Sequence, residues 1–254
     1  MIDINTCFGS WPYQLFPDRT ASEFSEHLAA HGIESAWVSA VESILFPDPD
    51  VFDNRLFEQI QGVHGLNLVK TVNPTLGGWK KRLLNWIDDK GVQAVKLLPS
   101  YHQYSLNAPE VKELVTLMRD RKLPLFIQMR VDDERNQYFL MRVPGVPLEQ
   151  VSELAAAFPG HPIVLLCPYH GEAAALAKQH SNLYMDISFL EHIDTIRSVL
   201  EFVPPEQLLF GTHSPFLCTG AAVNKIKFAS VDQTTINLIT HENAKRILSQ
   251  ATST

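Results

Sequence analysis

A single (β/α)8 TIM barrel is the fold class that the sequence predicts, on three observations. Eight short apolar runs alternate with helical patterns along the 254 residues. The runs are apolar on both faces, as parallel strands covered by helices require. No composition shift or Gly/Ser linker divides the chain, so residues 1–254 read as one domain of ordinary barrel size. The competing reading is a doubly wound open sheet. That fold would normally carry a Gly-rich phosphate turn after its first strand, and none is present.

The elements follow in order. Residues 2–8 alternate and stop at Gly9, which gives strand one. Ser22 can cap a helix over 23–30 that Gly32 ends. Strand two covers 35–41, a helix runs from about 51 to 62, and strand three covers 66–72 before Asn73-Pro74 breaks it. An amphipathic helix over 79–89 leads to strand four at 92–98, stopped by Pro99. Pro109 sits in the first turn of a helix to Asp120. Strand five covers 124–129, and a polar loop over 132–137 follows. A helix over about 148–158, strand six at 162–167, a helix over 172–180 and strand seven at 183–187 continue the alternation. A helix over 193–202 precedes strand eight at 207–210, and a last helix over 234–250 packs on the outside.

Composition narrows the function. Hydrophobic residues make up 45% and charged residues 19%, enough to build a sizeable core. The net charge is −7 with no Lys/Arg block, which disfavours nucleic acid and anionic membrane as partners. The N-terminal residues have no basic segment followed by an apolar core, and no run is long enough to span a bilayer. Cys7, Cys167 and Cys218 are an odd and widely spaced set, so reduced thiols in a cytoplasmic protein are expected.

In such a barrel the site lies at the C-terminal ends of the strands. The polar residues there are Asn5, Cys7, Lys96, Gln128, Arg130, Cys167, Asp186 and His213. Taken singly, each has a structural explanation: Cys167 as a small core residue, Asp186 as a helix cap, Gln128 as a partner for backbone groups. Taken together on one face, so many polar groups are costly to bury unless they serve a ligand or one another. Loop residues on the same end are Trp11, Tyr101, His102, Arg135 and His170. Trp11 and Tyr101 either pack the loops or contact a small, partly apolar ligand. The acidic loop at 132–134 and Arg135 form by default a solvated surface pair, and by position a lid or a subunit contact. His170 is a second candidate acid or base, or simply a residue at a helix start.

Several segments resemble the amidohydrolase superfamily, in its amidohydrolase-2 branch of metal-dependent hydrolases. Ile2-Asp3-Ile4-Asn5-Thr6-Cys7 stands where that family has Ile-Asp-x-His-x-His. Val95-Lys96-Leu97-Leu98-Pro99 resembles its fourth strand, and the runs ending in Gln128 and Cys167 resemble strands that end in histidine there. Leu209-Phe210-Gly211-Thr212-His213-Ser214-Pro215 resembles Phe-Gly-Ser/Thr-Asp-x-Pro, and 243–248 resembles the closing helix. The resemblance implies a TIM barrel over nearly the whole chain and a hydrolase, lactonase or decarboxylase-like activity. It also shows the family's metal ligands replaced: the paired histidines by Asn5 and Cys7, later ones by Gln128 and Cys167, and the aspartate by His213.

Three readings stay open. Cys7, Cys167 and His213 could hold zinc as a Cys2His set with an open fourth position. Alternatively the enzyme works without metal, with His213 as general base or acid because an ordinary imidazole titrates near neutrality. Lys96, Arg130 and Arg135 would then hold an anionic or carbonyl-bearing small molecule, with Asn5 and Gln128 beside it, and Lys96 could also form a Schiff base. The third reading is a non-catalytic binding or scaffold protein on a decayed enzyme fold. Barrels of this type often dimerise, so a homodimer is the assembly to expect.

Overall fold

The computed structural model describes residues 1–135 and 137–249. Strands β1 (Ile2–Phe8), β2 (Ser35–Ala40) and β3 (Leu66–Leu68) form one parallel sheet. A second comprises β4 (Lys70–Thr71), β5 (Val95–Leu97), β6 (Leu125–Gln128), β7 (Ile163–Leu166), β8 (Leu183–Asp186) and β9 (Leu208–Leu209). β3 and β4 are the two halves of the third predicted strand, broken at Val69. The first half pairs with β2 and the second with β5.

Backbone bonds join the two sheets at both seams. Val69 N–H donates to Val38 O at 2.8 Å and Lys70 N–H to Ala94 O at 3.1 Å. On the other side Ile4 N–H reaches Phe210 O at 3.1 Å, His213 N–H reaches Asn5 O at 2.8 Å, and Cys7 N–H reaches Ser214 O at 2.7 Å. The result is the α/β TIM barrel that the alternation predicts.

The connections carry α1 (Ala21–Ala30), α2 (Asp50–Ile60), α3 (Trp79–Lys90), α4 (Pro99–His102), α5 (Pro109–Asp120), α6 (Leu148–Ala157), α7 (His170–Ala177) and α8 (Thr195–Val199). After β9 come α9 (Thr219–Lys227), α10 (Gln233–Asn237), a π-helical turn over Leu238–Glu242, and α11 (Asn243–Ser249). Thr20 rather than Ser22 caps α1: its hydroxyl accepts from Glu23 N–H at 3.2 Å while the Glu23 carboxylate accepts from Thr20 N–H at 3.0 Å. The sequence reading missed α9 altogether, and the predicted last helix is broken by the π turn. Two predicted positions, Asn136 in the polar loop and Gln250 in that helix, lie outside the described residues.

Side-chain alternation sorts the core into two layers. Leu125, Ile127, Ile163, Leu165 and Leu208 face outward into a cluster shared with Phe24, Leu56, Leu83, Trp86 and Leu114 of the surrounding helices. Their neighbours Phe126, Val164, Leu166 and Leu209 face inward with Ile4, Trp37, Val69 and Ala94. Ala244, Ile247 and Leu248 of α11 join this inner cluster, so α11 closes the inner core instead of packing only outside.

Candidate active site at the barrel mouth

The same alternation builds the site. One step of two residues beyond the inner apolar layer, Trp37 gives way to Ser39, Ala94 to Lys96, Phe126 to Gln128, and Tyr184 to Asp186. A polar floor therefore lies directly on an apolar one, at the C-terminal ends of the strands. β1 adds to it through a bulge. Asp3 pairs with Ala36 and Thr6 with Val38, so Ile4 and Asn5 together oppose Trp37. Asn5 thereby enters the floor, and Cys7 faces Ser39. Gly211 makes room: a Cβ there would lie 2.7 Å from Asp186 Oδ2 and 3.1 Å from Asn5 Cβ.

Cys167 and His213 complete the constellation from unusual backbone. Their φ angles are +59° and +57°, in the left-handed region that non-glycine residues seldom occupy. Such conformations persist where the surroundings over-determine them.

The groups interlock. Asn5 Nδ2 donates to Asp186 Oδ2 at 2.6 Å and to Cys167 Sγ at 3.2 Å. Gln128 Nε2 donates to Arg130 O at 2.6 Å and to Cys167 Sγ at 3.1 Å. These acceptors fix which end of each amide is nitrogen. Asp186 also accepts from Ser188 Oγ at 2.8 Å and from Cys167 N–H at 2.8 Å. Burial raises the pKa values of the Asp186 carboxyl and the Cys167 thiol.

Lys96 is 2% exposed, with Nζ 3.0 Å from Ser39 Oγ and 4.0 Å from Cys7 Sγ. Among the described residues no carboxylate pairs with it. His213 is fully buried, and its Nε2–H donates to Val131 O at 2.8 Å. The ring stacks on Phe216 at 5.0 Å and meets Phe189 edge-on at 5.7 Å. Burial, and then the charge of Lys96, depress its pKa to about 3. That corrects the expectation of a near-neutral acid: the ring stays neutral, with Nδ1 as an acceptor only.

Three acceptors on this floor have no partner among the described residues: Asn5 Oδ1, Gln128 Oε1 and His213 Nδ1. Native proteins rarely leave buried polar atoms unmatched, so each calls for an explanation.

A cleft of about 510 Å³ opens above, lined by Trp11, Tyr101, Asp132, Asp133, Tyr138 and Met141 among others. An apolar cluster of Trp11, Phe16, Val41, Leu98 and Val131 includes both Trp11 of the cleft and Cys7 of the floor, and Tyr101 and Phe216 pack against it. Burial raises the pKa of Tyr101 and of Asp132 within the cleft.

The side chains of the other predicted charged and histidine residues are engaged away from the three unmatched acceptors. Arg130 already has its charge met: it donates to both oxygens of Glu172, to Glu134 Oε1 at 3.1 Å and to Cys167 O at 2.7 Å. Tyr169 covers its guanidinium at 3.7 Å. It therefore braces the β6 and β7 loops rather than offering a free cation. Arg135 is exposed and paired with Asp133 at the cleft's edge. His102 Nε2–H donates to Ser43 O at 2.9 Å, joining two loops. His170 Nε2 lies 3.4 Å from Ser198 Oγ, and its ring sits near His192 and Phe202, toward α8.

The floor does not fit a divalent metal. Cys7 faces Ser39 and Lys96, Cys167 is surrounded by Asn5, Gln128 and Ser188, and His213 Nε2 is tied to Val131, so the zinc set is not gathered. Among the described residues no three His, Cys, Asp or Glu side chains are placed to share an ion. The free acceptors are two neutral amides and an imidazole beside the Lys96 ammonium, and the floor's one carboxyl, Asp186, already accepts from Asn5, Ser188 and the Cys167 N–H.

A family model for amidohydrolases matches residues 35–250, most of the chain. The chain belongs to this amidohydrolase family. Solved structures that resemble this amidohydrolase include 2,6-dihydroxybenzoate decarboxylase from Rhizobium, with a TM-score of 0.74 at 13% identity over 98% of both chains. The 5-carboxyvanillate decarboxylase of Sphingomonas paucimobilis matches with a TM-score of 0.73 at 14% identity, over 91% of this chain and 83% of that one. The 4-oxalomesaconate hydratase of Rhodopseudomonas palustris gives 0.68 at 14% identity, over 90% and 80%. At these identities the likeness is one of fold. Comparison with curated proteins gives no match.

Ser39 was the floor residue that sequence reading missed. Its place two positions after inward-facing Trp37 was the available signal.

Proposed function

We propose that this amidohydrolase is an enzyme acting on a small carbonyl-bearing or anionic molecule at the barrel mouth, without a divalent metal. The observation that carries the reading is the floor itself: a buried lysine without a carboxylate partner beside three unmatched acceptors. Such a set is satisfied by a ligand that presents an oxygen to Lys96 and donors to Asn5, Gln128 and His213. Lys96 would polarise a carbonyl or hold a carboxylate where charge develops. Neutral His213 would accept a hydrogen bond at Nδ1 from a substrate hydroxyl or a water, orienting it while Nε2–H stays on Val131. The decarboxylase and hydratase relatives suggest hydroxybenzoates and unsaturated oxo acids as first substrates to try.

The test is turnover by chelator-treated protein against hydroxybenzoates, oxo acids, lactones and amides, with Lys96→Met alongside. Metal-independent turnover that falls at least ~100-fold in Lys96→Met is expected, the size of one lost transition-state donor. Turnover that needs added metal, or that Lys96→Met leaves intact, overturns the reading. A second reading, a binding protein without catalysis, is favoured by the near-complete burial of Asn5, Lys96, Gln128 and His213. Ligand-induced thermal stabilisation without product from any substrate would select it.

A further inference from the structure

A second polar system runs through the wall between β1 and β9, outside the floor. Asp3 is fully buried. Its Oδ1 accepts from Asn5 N–H at 3.0 Å and Thr212 N–H at 3.1 Å, and its Oδ2 lies 2.6 Å from Thr212 Oγ1. From there a row of hydroxyls leads outward. Thr212 Oγ1 is 2.9 Å from Ser214 Oγ, which is 2.6 Å from Thr219 Oγ1 at the start of α9. Thr219 Oγ1 is 2.9 Å from His27 Nε2 on α1. His27 is partly exposed, and its Nδ1 faces Asp18 at 3.4 Å. Four chain segments thus place five groups within hydrogen-bond reach in series, from the barrel wall to solvent.

We propose that this row is a proton path, through which the buried carboxyl of Asp3 exchanges its proton with the surface by way of His27. The row can carry either polarity, because every interior member is a hydroxyl that both donates and accepts. With Asp3 protonated, each group donates toward His27. When the proton leaves, the O–H bond of Asp3 breaks, each hydroxyl gives its own proton to the next oxygen and receives one from behind, and an N–H forms at His27 Nε2. The imidazolium then releases a proton from Nδ1 beside Asp18 to water. One proton has moved and the bond count is unchanged.

The end groups suit the task. Burial, with a smaller push from the charge of Asp186 on β8, raises Asp3 to about 7, so both its forms are populated at neutral pH. His27 faces Asp18 and stacks on His31 at 4.9 Å. Because Oδ1 holds the backbone of Asn5 and of Thr212, next to His213, Asp3 is a positioning residue for the floor, whatever ligand the mouth takes.

The experiment follows the exchange of that proton. In the full chain at pH 5, the carboxylic-acid infrared band of Asp3 is identified by its loss in Asp3→Asn, and its shift is timed after rapid mixing into D2O. Thr219→Val, which cuts the row one group short of His27, is expected to slow the shift at least ~10-fold, whereas Thr219→Ser should exchange as the wild type does. His27→Leu, on the surface and outside the core, cuts the outer end and should slow it likewise, which covers failure of Thr219→Val to fold. Equal exchange rates in wild type and His27→Leu overturn the proposal, as does the absence of an Asp3 acid band at pH 5.

Discussion

Acid should weaken this protein in part through His213. An ordinary histidine titrates at 6.5, and burial holds this one at about 3. Between those values the unfolded chain binds a proton that the folded chain refuses. The residue's contribution to stability is therefore complete above pH 6.5 and is lost as pH falls toward 3. From pH 7 to pH 4 the loss amounts to about 3 kcal/mol, at 1.36 kcal/mol for each pH unit below 6.5. His213→Asn removes that component while keeping a residue type that tolerates a φ of +57°. The variant should be less stable at pH 7, because the stack on Phe216 and the bond to Val131 are gone. The gap to the wild type should then close by about 3 kcal/mol at pH 4. Urea unfolding at several pH values measures the gap, and nitrogen NMR of the imidazole reports the ring directly. A gap that is constant with pH, or a ring that titrates near 6.5, would refute the argument.

Two further predictions concern the supports of the floor. Glu172→Gln leaves the buried Arg130 guanidinium with Glu134 as its remaining carboxylate, and should cost about 2–3 kcal/mol in urea unfolding. Gly211→Ala sets a methyl 2.9 Å from Asp186 Cβ and 3.1 Å from Asn5 Cβ, atoms fixed to two backbones that cannot swing aside. A loss of about 1–3 kcal/mol is expected, read as a lower thermal midpoint.

The strands were legible because a parallel barrel buries them on both sides, so each is an apolar run with a turn signal after it. The break at Val69 was not, because it arises from two partners on opposite sides, Val38 and Ala94, far away in sequence. α9 went unread because Gly220 stands in its first turn and obscures a short apolar stripe. At the site, the face shared by Lys96, Gln128 and Asp186 follows from counting twos beyond each inward residue. What each residue does there depends on neighbours that counting does not supply. Arg130 reads in sequence as a free cation, but the fold sets Glu172, 42 residues on, against it. His213 reads in sequence as a neutral-pH acid, but the fold surrounds it with Phe189, Phe216 and Lys96. The barrel predicted from alternation and the family predicted from its motifs both stand.

The seam between β1 and β9 has a kinetic consequence. Asp3 and Thr212 are 209 residues apart, and their contact lies beside Asn5 and His213. Pairings so distant in sequence carry a large loop-closure cost. The floor therefore assembles only when the ring closes. A local opening of this one seam, with the other strand pairs still zipped, would dismantle the pocket before the barrel melts. Ligand affinity should accordingly fade at lower denaturant than global structure does, and amide exchange at Ile4, Cys7 and His213 should outpace exchange in β6 and β7.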